Sequence, residues 1–157
     1  MSDRTDRASF VVLLLLLGLP WSVQTFSDGG TTFVFAWGLF NTQPPNVTFV
    51  WDFFFLYTQG LPDYIYAWPI SVVCYVGAVA SGFVGLVAGR EDPRVTGGLL
   101  VVAGVAQFSL ARGFSVQPYR TAWPLGTLAF VTVAWWLYWP AAKRRFQAVW
   151  SGTDVVD

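Results

Sequence analysis

The sequence predicts an all-α membrane protein. Four transmembrane helices carry a short cap on one face, built as a β-hairpin or as a strand followed by an interfacial helix. Three observations carry that prediction. Residues 8–26, 68–89, 95–113 and 121–142 are apolar runs, each near the ~20 residues a helix needs to cross a ~30 Å hydrocarbon core. The basic residues alternate with those runs. Arg4, Arg7, Arg90, Arg94, Lys143, Arg144 and Arg145 fall on one side, and only Arg112 and Arg120 on the other; the side richer in Lys and Arg is the cytoplasmic one. The composition is 55% hydrophobic and 11% charged over 157 residues, against about 25% charged in soluble domains. These cues imply a single integral membrane domain over residues 1–157, multi-pass, with both termini cytoplasmic.

The first run, Ala8 to Phe26, follows Arg4 and Arg7 and centres on FVVLLLLLGL. A secretory signal peptide has the same basic start and apolar middle. Its cleavage pattern is missing from PWSVQTFSDGG, so a retained helix is the expectation, weakened near its outer end by Pro20. The outer cap, residues 27–67, has no Lys or Arg and many aromatics. Thr31 to Phe40 alternates, with Phe33, Phe35, Trp37 and Leu39 on one face, which is a strand pattern. NTQPPN, residues 41–46, reads as a turn. Val47 to Tyr57 either alternates as a second strand, with Phe49, Trp51, Phe53, Phe55 and Tyr57 on one face, or forms an interfacial helix from Asn46 to Gln59 stopped by Gly60 and Pro62. Asn46-Val47-Thr48 is an N-x-T sequon on that face.

The second and third runs are joined by Arg90-Glu91-Asp92-Pro93. Gly77, Ser81, Gly85 and Gly89 recur every four residues on the second helix, a ridge that lets another backbone approach closely. A homodimer seam would use it, but the short turn already supplies the third helix as an intrachain partner. Gln107 is the one strongly polar side chain deep in a span and is expected to tie helices together. The fourth run, Thr121 to Ala142, ends in Trp135, Trp136, Tyr138 and Trp139 before Pro140 and Lys143-Arg144-Arg145. Ala67-Trp68-Pro69 and Ala122-Trp123-Pro124 open the second and fourth runs alike. Trp anchors at headgroup depth, and Pro is tolerated in a first helical turn.

Chemistry-bearing residues are few. The chain has no histidine and one cysteine, Cys74, which removes the usual metal and haem ligands and the usual general base. The expectation is no metal, no cofactor and no catalytic residues. A formal net charge of zero gives no reason to expect nucleic-acid binding. Ion-coupled transporters place ionisable groups at mid-membrane, and none of the four runs does so. One polar constellation remains, on the outer face: Asp52, Asp63, Arg112 and Arg120. As structural ties they would pair with one another, since a carboxylate among Phe49, Trp51, Phe53, Phe54 and Phe55 needs a partner. As a functional group they would form an outward-facing site.

The segments PWSVQTF (Pro20 to Phe26), FAWGLFNT (Phe35 to Thr42), GLPDYIYAWPIS (Gly60 to Ser71), EDPRVTGGLLVVAG (Glu91 to Gly104) and AWPLG (Ala122 to Gly126) carry a resemblance. The chain resembles a family of small four-span membrane proteins of haloarchaea to which no function is assigned. The resemblance implies a membrane location in an extreme halophile and brings no activity or site residues. The expected function is that of a non-enzymatic structural or accessory subunit, whose partners are the lipid bilayer and other membrane subunits or itself. The alternative is a small transporter or channel using the outer Asp/Arg cluster.

Overall fold

A computed structural model, which describes residues 2–56 and 60–151, breaks the first apolar run in the middle. Helix α1 spans Ser2–Leu15 and is followed by a tightening turn, with backbone bonds from Leu16, Leu17 and Gly18 back to Leu13, Leu14 and Leu15. Gly18 and Pro20 cannot sustain the helix, and the next residues become strand β1, Ser22–Phe26. Side chains also donate to the carbonyls at the end of α1. Tyr75 donates its hydroxyl to Leu13 O at 2.6 Å, and Trp21 donates its indole N–H to Leu16 O at 2.9 Å.

Strand β1 opens a five-stranded antiparallel sheet of order β4-β3-β2-β1-β5. Its other members are β2 (Thr31–Val34), β3 (Gly38–Thr42), β4 (Pro45–Phe49) and β5 (Arg120–Trp123). The expected single strand over Thr31 to Phe40 is instead two strands about a turn at Phe35–Trp37, where Phe35 N–H donates to Gly38 O. Gly38 admits no side chain, because a Cβ there would meet Thr48 O at 2.5 Å. The second half of the cap divides between its two expected forms: β4 first, then a short helix α2 at Val50–Phe55. The expected continuation through Tyr57 to Gln59 lies outside the described residues.

The fold is thus a mixture of sheet and helices. This corrects the all-α, four-transmembrane-helix bundle that the sequence predicts. Two of the four expected spans contain strand. Residues 8–26 divide between α1 and β1, and residues 121–142 begin as β5, with the helix starting only at Leu125. Three stretches are long and apolar enough to cross a membrane by length and composition: Asp63–Ala88, Pro93–Ser115 and Leu125–Arg144. At 1.5 Å per residue, α1 reaches only about 21 Å.

Helices α3 (Ala67–Ala88) and α4 (Pro93–Ser115) form the central hairpin. Gly89 closes α3 in the left-handed conformation, Asp92 caps α4 by accepting from Arg94 N–H, and Pro93 takes the first turn; each suits its residue type. Helix α5 (Leu125–Val133) continues through a π turn at Ala134–Tyr138 into α6 (Trp139–Ser151). Pro140 explains the wider turn: its ring cannot follow a regular helical path and it offers no N–H. Helix α1 runs antiparallel to α3, with Phe10 against Phe83 and Leu13 beside Tyr75. Trp21, fully buried, sits between Tyr75 and Phe130 at ring distances of 5.1 and 4.9 Å. Gly126 lies so close to Trp21 that its N–H donates to Trp21 O at 2.7 Å.

Candidate functional site

Strand pairing decides which residues face the helices. One rung runs Ala122–Gln24–Thr32–Asn41–Asn46 in register, and the next runs Trp123–Val23–Phe33–Phe40–Val47. Successive side chains point to opposite faces, and burial fixes the orientation. Gln24 and Thr32 are buried, whereas Trp123, Phe40 and Val47 are exposed. The polar rung faces inward and the apolar rung outward. Phe33 therefore lies on the outward face, whereas Leu39, on the same face by simple alternation, comes after the turn and lines the inward side.

Between the inward face of the sheet and the adjoining ends of α3 and α4 lies a cavity of about 340 Å³. The sheet contributes Gln24, Phe26, Thr32, Asn41 and Arg120. The helical side contributes Tyr64, Trp68, Leu110, Phe114 and Gln117. Thr32 donates to Asn41 Oδ1 at 2.6 Å. Gln117 donates to the Tyr64 hydroxyl. Gln24 is 3% exposed, and its side-chain amide has no hydrogen-bond partner among the described residues. Tyr64 is held in place by Gly113, which has no room for a Cβ against its ring. Trp68 is anchored by its indole N–H, which donates to Phe35 O at 3.0 Å.

Arg120 lies over the rings of Phe26 and Phe114, with its guanidinium carbon 4.5 and 5.0 Å from their centroids. Burial pushes this guanidinium below its ordinary pKa, and the nearby Tyr64 opposes that shift. Among the described residues, no Asp or Glu lines the cavity. Beneath its floor lie buried, packed side chains. Gln107, fully buried in α4, donates to Ser71 Oγ in α3, and Ser71 donates to Trp68 O at 2.6 Å. Tyr75, Phe130 and Trp21 continue the packing below.

The four outer charges expected to gather do not form one cluster. Asp63 opens the 3-10 turn before α3 and is exposed. Asp52, half-buried, lies in the first turn of α2 beside Asn41 and Asn46. Arg112 is exposed in the last turn of α4. Neither aspartate forms an ion pair with Arg112 or Arg120; Asp52 sits at a helix N-terminus, a favourable place for a negative charge. Only Arg120 belongs to the cavity. Sequence reasoning missed Gln24, Thr32 and Asn41. The signal that could have found them is their alternation with apolar residues, together with a strand register that no local pattern supplies.

The small-residue ridge of α3 serves several neighbours. Gly77 faces Leu99 of α4, and Ser81 shares a 2.8 Å hydrogen bond with Thr96 of α4. Gly85 makes room for Glu91 in the turn, whose carboxylate accepts from Thr96 at 2.9 Å. Gly82 admits Leu13 and Phe10 of α1. Gly89 is the helix stop.

Residues 1–148 match a family described as a domain of unknown function, DUF8050. No match was found among the curated proteins.

Proposed function

The chain belongs to the DUF8050 family, and we propose that it is a non-enzymatic integral membrane protein that holds a small ligand at the outer face as an accessory subunit of a membrane complex. The cavity beneath the sheet carries this reading. It joins an apolar wall to convergent polar groups, among them the side chain of Gln24, a residue 3% exposed, and that is the composition of a small-molecule site. Its volume falls at the lower end of the usual ~300–1,000 Å³ range.

A membrane setting is supported by surface and charge together. Val73, Val87, Val105 and Leu128 are each more than 60% exposed along the three long helices, an apolar area that water would penalise and lipid would not. Arg90, Arg94, Lys143 and Arg144 gather at the end of the bundle opposite the sheet, where the antiparallel path of α1 also starts. That end is cytoplasmic by the charge rule, and the sheet is then outside. Bilayer depth is compatible with the non-helical backbone after Leu15, because the protein interior satisfies it. An accessory role is supported by the open edge of β4 and the outward apolar rung from Trp123 to Val47, which a neighbouring subunit would cover. The packed side chains below the cavity and the scattered outer charges favour capture over conduction.

Purification of the full-length protein in a mild detergent, followed by mass measurement of the particle, tests the role. A defined foreign subunit at fixed stoichiometry is the expected result. A homogeneous particle containing only this chain overturns the accessory reading.

A further inference from the structure

Resting on the reading of the cavity as a ligand site, we infer that its ligand is a small amphipathic monocarboxylate. The carboxylate sits on Arg120, and the apolar body lies against Trp68, Leu110 and Phe114.

The charge of the cavity sets the sign of the ligand. Among the described residues, Arg120 is its one cationic lining residue, no carboxylate lines it, and Arg120 has no ion pair. A half-buried guanidinium that has left water without an anion gains most from one that arrives. Its guanidinium carbon lies over the Phe26 and Phe114 rings, 4.5 and 5.0 Å from their centroids, and a guanidinium beside aromatic rings still offers N–H donors that a planar carboxylate matches with two oxygens. Stacking on rings and in-plane donation are compatible for a guanidinium, where they would compete for a lysine.

Register supplies the second donor. Phe26 pairs with Arg120 and Gln24 with Ala122 across β1 and β5. Gln24 and Arg120 are therefore diagonal neighbours on one face, a spacing of roughly 7–8 Å that long side chains bridge. The Gln24 side chain lines the cavity and has no hydrogen-bond partner among the described residues, so its amide N–H completes one anion-accepting site with Arg120. Asn41 already uses its oxygen to accept from Thr32, so its N–H donors also remain for an oxygen. A ligand offering mainly donors, such as an amine, would meet Arg120 with like charge and is excluded by the same groups. The cavity size limits the apolar part to a short chain or a single ring.

The test uses the full-length protein in detergent and the probe 3-(4-fluorophenyl)propionate, followed by fluorine NMR line broadening, with the neutral amide of the same skeleton as control. The expected result is saturable binding of the acid, clearly tighter than the amide. Arg120→Gln should weaken the acid roughly tenfold or more, the scale of losing a hydrogen bond to a charged group, and should leave the amide little changed. Gln24→Leu should weaken both. Thermal melting checks that each variant is folded. Should Arg120→Gln fail to fold, the acid-to-amide ratio on the unaltered protein decides alone. Equal affinity for acid and amide would sink the carboxylate proposal while leaving the cavity as a neutral-ligand site. Saturable binding of neither probe would overturn both.

Discussion

Gln107 shows how one polar side chain is used at the centre of this molecule. Its position deep in an apolar run marks it as a tie between helices, and its amide does reach Ser71 on the neighbouring helix. Its other atom, Oε1, is buried without a partner. Gln107→Leu removes one hydrogen bond and one unsatisfied oxygen while nearly keeping the volume. The expected change in stability is therefore within ~1 kcal/mol, since such interhelical bonds are worth little net. Gln107→Ala loses the packing as well and should cost about 2–4 kcal/mol. Thermal melting of both variants in detergent decides. Equal losses would mean that the polar link, and not the filled volume, holds α3 to α4. The outer charges teach the opposite lesson. Asp52 and Asp63 stand close in sequence to aromatic and apolar residues, yet solvent or a helix N-terminus serves them, so their sequence neighbours said little about their partners.

At the scale of elements, helix ends were legible where the cap residues are local. Gly89, Asp92 and Pro93 end α3 and begin α4 by their own backbone preferences. The end of α1 was not legible, because an apolar run of spanning length fits a long helix equally well. Gly18 and Pro20 weaken the helix beyond Leu15, and strand pairing then competes for the chain: Ser22 to Thr25 find partners in Val34 to Thr31. The docking of α1 depends on Gly82, where a Cβ would meet Leu13 Cδ1 at 2.9 Å. Gly82→Leu should push α1 off α3 and cost about 1–3 kcal/mol by overpacking. Gly98→Leu is the control, since nothing lies within 4 Å of the position a Cβ would take there, and its effect should stay within about 0.5 kcal/mol. Comparable melting temperatures for the two variants would show that α1 is not seated on Gly82.

For the whole molecule, the sheet and the basic cluster mark opposite ends of the helices. With Cys74→Ala as background, a cysteine at exposed Asn46 on the sheet should react with an impermeant thiol reagent in intact cells. One at exposed Lys143 should react only after the membrane is opened. Labelling of Lys143→Cys from outside would reverse the orientation, and equal labelling of both sites in intact cells would remove the membrane reading.

The sequence by itself determined the apolar helices at the centre, the sharp turn between α3 and α4, the polar tie at Gln107 and the segregation of basic residues. Each is a local or compositional property: run length, cap chemistry, and the sign of charge between runs. Only the tertiary structure decided that Ser22–Phe26 and Arg120–Trp123 are strands. Strand β1 joins the nearby β2 on one side and Arg120–Trp123 on the other; the latter segment lies nearly a hundred residues away, and no window of sequence contains both sides of that pairing. The register between neighbouring strands turned Gln24, Thr32 and Asn41 inward and sent Phe40 and Val47 outward, and the long-range pairing with β5 set Arg120 beside them. A shift of one residue exchanges the two faces of a strand, so the cavity exists by virtue of pairing, whereas the helices around it exist by virtue of composition.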